Sequence, residues 1–191
     1  MAQPSKLKAR TLDRADPSAL DGFSCGTNGD KWADAVHMVV AQLRVGVHPW
    51  VDIRVAESTV SGRLVGVAAI GQWHFKNPAA ERIYGGSPYL TVIGVSASFR
   101  GKDARGGGPP LGDFLMADAL AFAKRRSGGK LAPWVFSLVN DANVDSVKLH
   151  TRNGFVLWRP AANPQFDGLF RRARGLELPS ADPDLWTPVD G

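Results

Sequence analysis

Cysteine is almost missing from this chain, with Cys25 as its single thiol. One thiol excludes an intramolecular disulfide framework and cannot by itself build a cysteine-based zinc site, so no metal centre and a reducing, cytoplasmic setting are expected. The N-terminal MAQPSKLKAR has no apolar stretch behind its charges, so no secretory signal is expected. No run approaches the roughly 20 apolar residues that a bilayer-crossing helix needs, which argues against a membrane location. Internal repeats are absent. So are the Gly-Lys-Ser/Thr ending of a P-loop and the GxGxxG spacing of a dinucleotide fold.

What is present suits one ordinary globular domain over residues 1–191, with irregular tails at 1–5 and 180–191. Hydrophobic residues make up 44% and charged residues 21%, which excludes wholesale disorder. Lysine and arginine (23) exceed aspartate and glutamate (18), for a net charge of +5. That excess suits a phosphate-bearing ligand, an RNA or an acidic surface and selects none of them.

Hydrophobic periodicity orders the elements. Lys6 to Leu12 reads as a first strand, and residues 29–44 as a helix with Trp32, Val36, Val39, Val40 and Leu43 on one face, capped by Asn28 or Asp30. VDIRVA (51–56) and the run 64–75 form a hairpin around a turn containing Gly62. Residues 76–88 read as loop. Residues 89–96 are apolar almost throughout, as in a central strand covered on both faces. A helix over 111–126 follows, with Leu111, Phe114, Leu115, Ala119 and Phe122 on one side and Pro109 and Pro110 at its start. A strand over 134–139, a short helix over 144–152, the strand FVLWR and a last strand within 166–178 complete a mixed α/β domain.

Between the 89–96 strand and the 111–126 helix lies FRGKDARGGGPPLG, glycine-rich and basic. A strand entering such a loop, and a helix leaving it, is a physical solution for holding phosphate. Glycines let several N–H groups converge, and the helix adds the positive end of its dipole. Gly101, Gly106, Gly107, Gly108 and Gly112 can supply the turns, and Arg100, Lys102 and Arg105 the charge. A flexible basic surface loop fits the same composition.

Two segments resemble the GNAT superfamily of N-acetyltransferases. IGVSASFRGK is similar to the family strand ending in Val-x-Pro-x-x-Arg-Gly-x-Gly, with Val95, Phe99, Arg100, Gly101 and Lys102 in register. Gly112, Leu115 and Met116 resemble the motif's end, after an insertion within 103–110. NVDSVKLHTRNGF resembles the late motif Asn-x-x-Ala/Ser-x-x-x-Tyr-x-x-x-Gly-Phe at Asn143, Ser146, Gly154 and Phe155, with His150 where the family has tyrosine.

The resemblance implies a mixed, mostly antiparallel sheet of six or seven strands, splayed in a V between its central strands, with helices on both faces. It implies acetyl-coenzyme A in that opening and direct transfer of the acetyl group to a primary amine. Backbone groups of Ile93 and Val95 would pair with the pantetheine arm. Amides from Gly106 to Gly112, including Leu111, would hold the diphosphate, with Arg100, Lys102 and Arg105 beside it. Asn143 would hold the helix start or a cofactor carbonyl. An N–H near Val95 would stabilise the oxyanion.

The departing thiolate must gain a proton and the amine must lose one. His150 takes the donor's place by motif, since an imidazole of reference pKa about 6.5 gives its proton downhill to a thiolate of about 8.5. The alternative reading of His150 is a polar helix residue packed beside Phe155. Ser146 can place a water or the thiol, and Glu81 or His74 can serve as base, as can a water chain.

The acceptor stays open between a small molecule, a protein amine and the amino group of an aminoacyl-tRNA. Phe23, Cys25, Gly26, Asp30 and Trp32 distantly resemble the start of GNAT toxins that acetylate charged tRNA, at a spacing one residue short. A non-catalytic module that binds coenzyme A or nucleic acid is the further alternative. A homodimer is compatible with all of these.

Overall fold

The structure, a computed structural model, describes residues 7–13, 17–26, 30–46, 51–73, 78, 82, 86–99, 110–126, 135–140, 142–161 and 169–174. They form strands β1 (Leu7–Thr11), β2 (Asp52–Ser58), β3 (Leu64–Trp73), β4 (Ser87–Val95), β5 (Val135–Asn140), β6 (Val156–Ala161) and β7 (Leu169–Arg174). The helices are α1 (Lys31–Arg44), α2 (Leu111–Arg126) and α3 (Val144–Arg152). The strand order in the sheet is β1-β2-β3-β4-β5-β7-β6. The pairing is mixed: β4 and β5 run parallel, whereas β1–β2, β2–β3, β5–β7 and β6–β7 are antiparallel.

Residues group into two compact units, Met1–Ile70 with Thr91–Ala121, and Gly71–Leu90 with Phe122–Gly191. In the first unit, α1 starts where the Asp30 carboxylate accepts from the amides of Trp32 at 3.0 Å and Ala33 at 3.3 Å. This satisfies donors that a helix start leaves without a partner. The buried stripe is Ala33, Val40 and Leu43, with Val36 and Val39 partly buried. Trp32 is only half-buried, with the Lys31 ammonium 4.4 Å from its ring centre, so the apolar face is centred on Ala33 rather than on Trp32. The stripe packs on Val51, Ile53, Val55, Val67 and Ala69. A second cluster joins Leu111 and Leu115 of α2 to Leu7, Ala56 and Val65.

The two clusters need both faces of β2 and β3, and one irregularity makes the sides cross. The β2–β3 register runs Ala56↔Gly66 and then Glu57↔Leu64, so Val65 is an extra residue. Val67 and Ala69 pack with α1, yet Val65 packs with α2 and Leu64 with the α1 cluster. A bulged residue reverses the alternation of a strand in this way.

In the second unit, β5 registers with β4 through Tyr89↔Phe136 and Leu90↔Ser137, and with β7 along its whole length. Helix α3 starts where the Asn143 side chain accepts from the Ser146 amide at 3.1 Å. Residues 78 and 82 are helical, where the sequence predicts a loop. The fixed φ of proline lies in the helical range and arginine is a good helix former, so both residue types are compatible with that conformation.

Candidate functional site

In the first unit the end of β4 and the start of α2 come together. Ile93, Val95, Phe99 and Phe114 pack on the cluster that holds Leu111 and Leu115. Leu111 is the first residue of α2 and is buried, so the helix start is anchored by its own side chain. Gly112 is half-buried. A first helical turn directs amides outward without acceptors inside the helix, and the helix dipole makes that end attractive to anions.

The peptide groups of β4 divide by alternation. The Ser96 amide donates to the Val65 carbonyl at 2.8 Å, toward β3. The Gly94 carbonyl also faces β3, lying 3.3 Å from where a Cβ on Gly66 would stand. Neighbouring residues of a strand direct their N–H and C=O groups to opposite sides. The peptide groups of Ile93 and Val95 therefore face away from β3. They are the two positions that the family resemblance assigns to the pantetheine arm.

Glycine is required for the close packing around this strand. A Cβ on Gly66 would lie 2.3 Å from Leu115 Cδ1, and one on Gly94 would lie 2.7 Å from Val36 Cγ1. Helix α2 thus presses on β3 at Gly66, and α1 on β4 at Gly94. Segment 23–26 is tied to the same strand end, because the Ala97 amide donates to the Ser24 carbonyl at 3.4 Å.

In the second unit His150 is 2% exposed, on the inner side of α3. Its Nδ1 lies 2.8 Å from the Ser146 carbonyl and 3.4 Å from the Ser146 hydroxyl. Its Nε2 lies 3.0 Å from Ser137 Oγ, and the ring meets Phe155 edge-on with centroids 4.9 Å apart. Both nitrogens of the ring that the resemblance makes the proton donor are thus engaged inside the protein, and the Phe155 packing of the alternative reading is present. Asn143 directs its side-chain oxygen to the helix start, one of its two expected tasks.

Among the other residues singled out in the sequence, His74, Glu81, Arg100, Gly101, Lys102, Arg105, Gly106, Gly107 and Gly108 lie outside the described residues. Three pairings were not legible in the sequence. Cys25, 1% exposed, donates its amide to His37 Nε2 at 3.1 Å, with Sγ 3.6 Å from the same nitrogen. Arg54, buried, forms a bidentate pair with Asp118 at 2.7 and 2.9 Å and donates to Thr11 Oγ1 at 2.6 Å. Ser137 meets His150. A signal existed only for the last, since a serine inside the apolar strand VFSLVN needs a hydrogen-bond partner. Among the described residues, no three His, Cys, Asp or Glu side chains gather as metal ligands, and no helix is long and apolar enough to cross a membrane.

No family profile matches the sequence, and no curated protein does. Solved structures match across most of the chain. An acetyltransferase of the GNAT family from Streptococcus pneumoniae aligns with a TM-score of 0.57 at 14% identity, covering 88% of this chain and 98% of that one. A bacterial toxin aligns at 0.60 and 15% identity, covering 91% of each chain. AtaTR bound with AcCoA aligns at 0.60 and 15% identity, covering 88% of this chain and 93% of that one. The fold of this chain is GNAT-like.

Proposed function

We propose that this protein is an N-acetyltransferase that moves an acetyl group from acetyl-coenzyme A to a primary amine by direct transfer. The observation that carries the reading is the joint between β4 and α2. In a GNAT-like fold, the peptide groups of Ile93 and Val95 face away from β3, and a helix start stands at the same strand end. A structural neighbour of the same fold bears AcCoA, which supports this choice of ligand.

Acetyl-coenzyme A supplies the thioester, and the residues of this chain supply grip and charge. The amides of Leu111 and Gly112 would take the diphosphate, and the sequence offers Gly106, Gly107 and Gly108 as further amides and Arg100, Gly101, Lys102 and Arg105 as partners for its phosphates. Ile93 and Val95 hold the pantetheine arm as a neighbouring strand would. An N–H near Val95 would polarise the thioester carbonyl and favour the charge that builds on its oxygen. The proton balance closes without a resident acid: the amine nitrogen loses one proton on becoming an amide, and the thiolate gains one. A water chain can carry it, and the sequence offers Glu81 as the alternative base and Ser146 as a group to place a water or the thiol. His150 enters this scheme only through its neighbours, since its nitrogens are already bonded.

A second reading of the acceptor, the amino group of an aminoacyl-tRNA, is supported by the resemblance of Phe23, Cys25, Gly26, Asp30 and Trp32 to toxins of that activity and by the likeness of the fold to a bacterial toxin, and the +5 charge is compatible with it. Titration calorimetry with coenzyme A, followed by thiol release from acetyl-coenzyme A across a panel of amines and charged tRNA, tests both readings. Binding with amine-dependent release is expected. A protein that ignores coenzyme A is not an acetyltransferase, and one that binds it without release on any acceptor is a binding module.

A further inference from the structure

Three successive residues ahead of α1 each make one tie inside the first unit. Phe23 is buried against Gly94, its Cε1 3.5 Å from where a Cβ on that glycine would stand. The Ser24 carbonyl accepts the Ala97 N–H at 3.4 Å. The Cys25 N–H donates to Nε2 of His37, on α1, at 3.1 Å. Phe23 and Ser24 thus hold the chain at Gly94 and at Ala97, one residue before Val95 and two after it. Ala97 stands where the GNAT motif carries proline, which has no N–H to give. The tie to Ser24 therefore belongs to this chain and not to the motif it resembles.

Proton placement in this group is constrained. An N–H only donates, so His37 must present the lone pair of Nε2 to Cys25, and the neutral ring carries its hydrogen on Nδ1. The thiol has an acceptor of its own in the Ala33 carbonyl at 3.8 Å, although Sγ also lies 3.6 Å from Nε2. Cys25 and Ala33 are both fully buried, which makes the contact between the Cys25 amide and His37 costly to lose. Val36, the neighbour of His37, is the side chain that α1 lays on Gly94. Helix α1 therefore reaches β4 twice, directly through Val36 and by way of the segment that His37 holds.

We infer that His37 is a positioning residue: by accepting the Cys25 N–H it holds segment 23–25, and that segment sets the course of the chain around Val95. The inference rests on the acetyltransferase reading above, which places an N–H for the thioester carbonyl near Val95, and it adds the device that aims this group. Every residue from His37 to Val95 in this series of contacts belongs to the first unit. The proposed diphosphate grip at the start of α2 lies outside the series. A slip around Val95 is therefore felt in turnover more than in cofactor affinity, since a donor aimed at developing charge acts in the transition state.

Kinetics and NMR together test the role. His37→Leu keeps a helix former and apolar bulk on α1 but offers no acceptor. It is expected to lower kcat and kcat/KM together, about tenfold, with KM for acetyl-coenzyme A kept within about twofold. His37→Gln, whose Oε1 can accept where Nε2 does, is expected to restore the wild-type kcat. Ala97→Pro removes the donor to Ser24 and is expected to repeat the loss. Adding His37→Leu to it should then cost no more, because both changes act through one contact. A His37→Gln variant as slow as His37→Leu would make the imidazole itself the reactive group and overturn the inference. Unchanged kinetics in His37→Leu, with only a lowered melting temperature, would reduce the segment to packing and overturn it too, as would additive losses in the double variant. In the wild type with the ring neutral, ¹⁵N NMR must show His37 Nε2 without a hydrogen and coupled across the hydrogen bond to the Cys25 amide nitrogen. An Nε2–H tautomer refutes the arrangement whether or not any variant folds. A wild type that does not bind coenzyme A removes the acetyltransferase reading, and this role with it, even where the NMR signature stands.

Discussion

A glycine and a leucine show how tightly the first unit is built at the level of single atoms. Gly66 leaves room for Leu115, a fully buried side chain of α2, and an added methyl at Gly66 would stand 2.3 Å from its Cδ1. Overpacking of this kind costs about 1–3 kcal/mol. Gly66→Ala is expected to lose stability on that scale, and Leu115→Val, which removes the clashing carbon, to recover part of it. Urea denaturation of the two single variants and the double gives a coupling energy of opposite sign to the single losses. The close approach explains why β3 has glycine at position 66. The pattern suggests a covered strand in the sequence, but it does not say which helix lies on it.

Whole elements are joined by the Arg54–Asp118 pair, which ties β2 to α2, with Thr11 of β1 as a third member. Side-chain exposures of 9% and 16% place it largely out of water. Removing one member strands a buried charge, so Asp118→Ala is expected to cost about 3–5 kcal/mol by chemical denaturation, whereas the paired change Arg54→Met with Asp118→Leu costs far less. No sequence pattern links residues 64 positions apart, so this tie was invisible. The spans of α2 and α3, by contrast, agree with the sequence reading, because Pro110 and Asn143 mark their starts chemically. The ends of β2, β4 and β6 differ from the sequence reading by one or two residues, since nothing but ladder bonds decides where a strand stops. The inner face of α2 includes Met116 and Ala123, while Phe114 and Phe122, expected on it, are only half-buried. The joint of β4 and α2 was legible as a motif. The packing of His150 beside Phe155 was legible as one of its two readings, whereas its bond to Ser137 was not, because no sequence pattern links a strand hydroxyl to a helix imidazole 13 positions away.

The molecule as a whole carries its +5 charge without an apolar span among the described residues. That charge gives the two acceptor readings different physics. Binding of a polyanion releases counterions, so with a charged tRNA as acceptor KM should rise steeply between about 50 and 200 mM salt, as log KM against log salt. With a small uncharged amine it should stay flat, and steady-state kinetics at several salt concentrations tell the two apart.

The spare residue in β3 has a consequence for how the first unit tolerates change in length. Because Val65 already reverses the inward and outward sides of its strand, Leu64 serves α1 while Val65 serves α2. Deleting it would leave Gly66 opposite Ala56 and Leu64 opposite Glu57, each on its present side, but would take Val65 out of the cluster under α2, so the cost of losing this residue falls on the packing beneath that helix and not on the pairing of the hairpin.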